Sequence, residues 1–298
     1  MHKNVHQIFP TVNVYRQGPV SKLEKAGQNP LQFQVETEEG SLELDSFISS
    51  EASATLGMII LYKGEIVFES YPRMRPYEKP IYWSVTKVMP ALLVRLFEER
   101  GLIDTARAIN FYIPELLSSA FSGIQVRNIL DMSSGLDCQD DYTDRTSCYY
   151  QYSMAIGDGH RDDDSPDNPY DFLRTLKAER VSAEGTSFSY SGVNTFILSW
   201  LVESIAQKPF HEVFTDEIWS KIGAESDASF LAYRYGIPLT HGGFLSNMRD
   251  MARFGLLFTP SYRTVTNEKI VSEETLDLYL STILSTSSIV SITFSPLA

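Results

Sequence analysis

Between residues 55 and 100 the hydrophobic pattern changes period once, and that change excludes most folds open to a chain of this length. Residues 55–62 form a continuous apolar run, Lys63-Gly64 is a turn signal, and Glu65–Ser70 alternates apolar and polar side chains. Together they read as a β-hairpin of the central sheet. From Ser84 the spacing becomes helical: Val88, Ala91, Leu92, Leu93, Leu96 and Phe97 line one broad face, and Gly101 follows the charged end of residues 98–100. Pro90 lies past the first turn of that predicted helix, so a lost hydrogen bond and a kink are expected. Further helices are predicted over residues 126–132, 195–206 and 249–258. Strands come first and helices dominate the middle, without a repeating strand–helix alternation. The pattern therefore predicts an α+β fold, not a doubly wound parallel sheet.

The chain divides into an irregular N-terminal arm at 1–30, a main domain at 31–280 and an atypical tail at 281–298. With 298 residues, 43% of them hydrophobic, there is ample material for a large core. The formal net charge of −13 repels polyphosphate backbones, so no nucleic-acid partner is expected. The opening MHKNVHQIFP lacks the apolar core of a secretory signal, and apolar runs such as 57–62 are too short to span a bilayer. A cytoplasmic address without a membrane partner is the expectation. Cys138 and Cys148 could pair or stay free, and the reduced state is favoured. The histidines are scattered and no H-E-x-x-H spacing occurs, so no metal is expected. His160, beside Asp162, Asp163 and Asp164, reads as part of a solvated acidic loop. A G-x-S-x-G elbow is absent, which argues against an α/β-hydrolase triad.

The chemistry-bearing motif is Ser84-Val85-Thr86-Lys87. On a helix, residues i and i+3 share a face, so the lysine amine can reach the serine hydroxyl. A serine hydroxyl is a weak nucleophile until a base takes its proton, and a lysine can serve if burial or nearby positive charge favours its neutral form. By itself S-x-x-K is a weak signal, equally satisfied by a capping serine and an exposed lysine.

The context strengthens it. YWSVTK at 82–87, ERGLID at 99–104, VRNILDMSSGL at 126–136, EGTSFSYSG at 184–192, IWSKIGA at 218–224, and GGFLS with DMARFG at 242–255 occur in order. This series resembles the serine β-lactamase-related hydrolases of the penicillin-binding-protein and class C β-lactamase superfamily, in their esterase and 6-aminohexanoate-oligomer hydrolase branch. The resemblance covers roughly residues 40–278. It implies an antiparallel sheet flanked by helices plus a mainly helical lobe. It also implies Ser84 as nucleophile, Lys87 as general base, Tyr190 as proton relay, and no cofactor. Gly192 stands where related β-lactamases commonly carry an asparagine that holds the substrate amide, and Asn194 is the candidate to replace it. A small ester or linear amide is therefore expected as substrate in preference to a β-lactam. Tyr150 and Tyr152, with Tyr142 and Tyr149, are candidates for an aromatic lid, ordinary packing being an equal alternative.

One departure stands out. The family's third motif, K-T-G or a variant, is expected on a late strand, and His241-Gly242-Gly243 is set aside because it leads directly into the 249–258 helix. The tail after Leu280 reads STILSTSSIVSITFSPLA, which offers no substitute. A chain truncated before the third motif is the expectation. The rival reading is a catalytically silent member that keeps the fold and binds a peptide- or amide-like ligand.

Overall fold

A computed structural model describes residues 3–27, 33–38 and 40–278. The tail at 281–298, and with it the question of a late third motif, lies outside the described residues. The mixed α+β architecture expected from the hydrophobic periods is present.

The main sheet is antiparallel, in the order β1 (Thr11–Val14), β6 (Ala228–Leu231), β7 (Phe244–Leu245). Thr11 faces Leu231 and Val14 faces Ala228, while Phe230 faces Phe244 on the other side of β6. Thus part of the lead-in read as irregular is an edge strand. With only four residues, β1 is too short to show a period, and its partner lies far along the chain. All four residues of β6 are buried. Phe214 packs edge-on against both Phe230 and Phe244, Trp219 packs edge-on against Phe244, and Phe230 and Phe244 are tilted against each other, an aromatic cluster that fixes the sheet against α8 (Phe210–Glu217).

The predicted hairpin is β4 (Met58–Tyr62) and β5 (Glu65–Ser70), with a register shift between Ile60 and Leu61. Its turn needs two left-handed residues in succession, and Lys63 (φ 52°) and Gly64 (φ 84°) supply them. Contrary to expectation, among the described residues this hairpin does not join the main sheet; Lys25 bridges to Ile66 beside it. A second small hairpin, β2 (Gln34–Thr37) and β3 (Gly40–Glu43), leads into the short α1 (Leu44–Ser49).

The helical lobe is built on α2 (Val88–Glu99) and α7 (Gly192–Ala206). Every residue of α7 from Gly192 to Val202 is buried, so this helix is enclosed on all sides by the rest of the fold. Short helices surround it: α3 (Ile109–Tyr112), α4 (Val126–Leu130), α5 (Cys148–Ile156) and α6 (Pro169–Thr175). The predicted kink at Pro90 has no cause here. The helical stretch splits into a 3₁₀ turn, Trp83–Lys87, and then α2, which places Pro90 in the first turn of α2. There its missing N–H has no intrahelical acceptor to lose. Gly101 ends the helix in the left-handed region at φ 71°, as its position predicted.

The D-x-A-R-F-G block forms α9 (Met248–Leu256) and encloses a buried ionic clamp. Asp250 accepts the N–H groups of Glu225 at 2.7 Å and Ser226 at 3.0 Å, and the Asn247 amide at 2.7 Å. Arg253 Nη1 donates to the same carboxylate at 2.9 Å, and its other nitrogens reach Ser21 O and Glu225. The block ties the N-terminal segment to the second half of the chain.

Cys138 and Cys148 are joined as a disulfide, with Cα atoms 4.9 Å apart. This corrects the expectation of free thiols: the turn between them brings the two backbones within bridging range. No helix among the described residues is long and apolar enough to cross a membrane.

Candidate active site

Strand β7 positions the start of the motif. Tyr82 N–H donates to Phe244 O at 2.9 Å, and the buried Thr86 hydroxyl accepts Phe244 N–H at 3.1 Å. Between these anchors Trp83 adopts φ 44°, a left-handed conformation costing a non-glycine residue about 1–2 kcal/mol. The anchors on both sides hold that conformation, and Ser84 emerges exposed on the turn. Lys87 Nζ lies 3.2 Å from Ser84 Oγ and donates to His241 O at 2.8 Å. The Lys87 side chain is only 9% exposed, so its amine is aimed by protein groups and little by water.

Tyr190 precedes the Ser191 cap of α7 and presents its ring to the same amine, 4.7 Å from Nζ to the ring centroid. Ser84 Oγ and the Tyr190 ring thus both lie against the Lys87 amine. The other candidates separate. Gly192 is buried, and a Cβ there would lie 3.0 Å from the rings of both His241 and Tyr149. Its role in the packing is the absence of a side chain, which lets those rings approach. Asn194 is fully buried in α7, its amide directed to Met132 Sδ, so the expected substitute for the missing asparagine does not face the cleft. Tyr152 is also fully buried, its hydroxyl 3.0 Å from His241 Nδ1, and is a core residue and not a lid. Tyr150 turns to the other face of α5, where Arg145 lies over its ring. The exposed member of the cluster is Tyr142, stacked edge-on against Tyr149.

Two groups that periodicity could not single out complete the arrangement. Asp140 Oδ2 lies 3.8 Å from Lys87 Nζ, and Asp140 Oδ1 accepts Gly192 N–H at 2.5 Å. Burial raises the Asp140 pKa, while the Gly192 N–H and the Lys87 charge pull it back. His241 supplies the carbonyl that aims Lys87, and its ring is boxed in by Tyr152 at Nδ1, Tyr149 at Nε2 (3.4 Å) and Asp158 beyond (3.9 Å). Although set aside as a third motif, His241 borders the site through its backbone. No local signal marks Asp140; it lies a few residues past the SSGL block, the nearest sequence cue.

Burial, and secondarily the Lys87 charge, lower the His241 pKa to about 3. The imidazole is therefore neutral in the folded protein at ordinary pH. Between its unfolded value near 6.5 and about 3, the unfolded chain binds a proton that the folded chain refuses. Stability must fall as pH falls through that window, by up to about 1.4 kcal/mol per pH unit from this group. Urea unfolding between pH 7 and 4.5 should show a shallower decline for His241→Gln than for wild type. Equal slopes would refute the neutral buried imidazole.

A family model described as Beta-lactamase matches residues 44–285. The chain belongs to the beta-lactamase family. This family member is 30% identical over 206 residues to the 6-aminohexanoate-dimer hydrolase of Paenarthrobacter ureafaciens, covering 69% of the chain and 52% of that protein. It thus spans about half the length of this curated relative. Among solved structures, a Bacillus anthracis protein provisionally described as a 6-aminohexanoate-dimer hydrolase superposes with a TM-score of 0.79 at 23% identity, over 93% of this chain and 72% of that one. A family VIII carboxylesterase matches with a TM-score of 0.52 at 18% identity, over 74% and 68% of the two chains. At these identities the structural likenesses establish the shared fold alone.

Proposed function

We propose that this beta-lactamase family member is a serine hydrolase that cleaves a small ester or linear amide through an acyl-enzyme on Ser84. The observation that carries the reading is the 3.2 Å approach of Lys87 Nζ to Ser84 Oγ, with the amine held from behind by His241 O. In its neutral form Lys87 takes the Ser84 proton as Oγ attacks the acyl carbon, giving a tetrahedral oxyanion. Collapse breaks the bond to the alcohol or amine. The leaving group then receives a proton from Lys87, with Tyr190 as the relay beside it. Water, deprotonated by the same groups, attacks the Ser84 ester, releases the acid and restores the hydroxyl. Every proton and bond is accounted for by these side chains and water.

Gly192 supports the preference for esters and linear amides. It contributes no amide side chain to grip a β-lactam carboxamide, and the buried Asn194 does not replace one. The similarity to a 6-aminohexanoate-dimer hydrolase agrees with that substrate range. The disulfide bears on the compartment: cytosolic thiol buffers reduce such bonds, so Cys138–Cys148 favours an oxidising environment over the expected cytoplasm.

Exposure to a fluorophosphonate followed by mass spectrometry should show one covalent adduct on Ser84, absent from Ser84→Ala. Folded wild-type protein that takes no label would instead identify a catalytically silent member.

A further inference from the structure

The segment closed by the disulfide is fastened to the stretch that carries Tyr190 by three hydrogen bonds. The Ser191 hydroxyl donates to Cys138 O at 2.6 Å, Asp140 N–H to Tyr190 O at 3.0 Å, and Gly192 N–H to Asp140 Oδ1 at 2.5 Å. That leaves the second carboxylate oxygen, 3.8 Å from Lys87 Nζ, with the two side chains 6% and 9% exposed. Burying a carboxylate is costly, and an asparagine could accept the Gly192 N–H without that cost. What an asparagine could not supply is charge. The charge faces the one amine that, on the hydrolase reading, becomes fully cationic as Ser84 is acylated.

We propose that Asp140 is a positioning residue of the hydrolytic site: its carboxylate holds the Lys87 ammonium beside Ser84 and accepts Gly192 N–H, while its backbone N–H, bound to Tyr190 O, helps set the Tyr190 ring against the same amine. The role rests on the hydrolase reading above. Electrostatically, an anion 3.8 Å away attracts the ammonium and holds it in place beside Ser84. The other titratable groups around the pair are Tyr190 on the Lys87 side, Tyr142 and Tyr149 on the Asp140 side, and the neutral His241. Among the described residues, Asp140 is the carboxylate that lies within ion-pair distance of Lys87.

Asp140→Asn separates charge from scaffold, because the amide oxygen can still accept Gly192 N–H. On a cleaved ester, Asp140→Asn should lower kcat about tenfold and leave KM little changed, because the substrate is still bound while the Lys87 amine is no longer held. Asp140→Glu, which returns the charge, should restore most of kcat. A thermal unfolding curve run beside the kinetics checks that each variant is folded. Wild-type kcat in folded Asp140→Asn, or no recovery in folded Asp140→Glu, overturns the role. Folded wild-type protein that takes no label at Ser84 would sink the hydrolase reading while leaving the Asp140–Lys87 pairing in place.

Discussion

Lys87→Arg should lower kcat/KM on any cleaved ester by about 10²–10⁴-fold, the usual contribution of a positioned general base. The change is chosen to remove the base and keep the charge. A guanidinium does not deprotonate in the working pH range, so it cannot accept the Ser84 proton. It still offers a positive charge to Asp140, which in wild type lies 3.8 Å from the amine, so the site is not left with a buried unpaired carboxylate. The melting temperature should change by a few degrees at most, and thermal unfolding run beside the kinetics checks this. A variant retaining more than a tenth of wild-type activity would exclude Lys87 as the base.

The largest loss of stability is expected at Arg253, which is 1% exposed and paired with Asp250, itself fully buried. Arg253→Met removes the partner of a buried carboxylate and two donors to Ser21 O. Breaking such a pair from one side costs about 3–5 kcal/mol, because the remaining charge is stranded. Urea denaturation should therefore show a markedly lower midpoint. Hydrogen exchange should be fastest-growing near Ser21, whose attachment to α9 is cut. Adding Asp250→Asn to Arg253→Met should recover part of the loss, since the stranded charge is then gone. If the single variant unfolds at the wild-type midpoint, the clamp contributes little and the block must be explained otherwise.

These two predictions also mark what sequence reasoning could reach. Ser84 and Lys87 are separated by one helical turn, so their approach was legible from spacing. The β4–β5 hairpin was legible because Lys63 and Gly64 supply the left-handed turn locally. Gly101 likewise ends α2 by its own backbone freedom. The D-x-A-R-F-G block was legible as a block, yet its physical content, a buried clamp reaching Ser21, was not. Pro90 was misread because the boundary between the 3₁₀ turn and α2 depends on how β7 holds Tyr82 and Thr86. Asn194 and Tyr152 have the right chemistry for a cleft but lie fully buried among helices.

The sequence by itself determined the α+β class, the main helices, the approach of Ser84 and Lys87 and the family, because each follows from neighbours along the chain or from ordered motifs. Only the tertiary structure decided that Asp140 and the carbonyl of His241 meet at Lys87, that Cys138 and Cys148 close one loop, and that Gly192 makes room for two aromatic rings. Apart from the disulfide, which spans ten residues, those contacts join segments far apart in the chain. Their geometry is set by how the hydrophobic faces of β7, α2, α5 and α7 pack, and the residues they bring together share no period that a linear reading could detect.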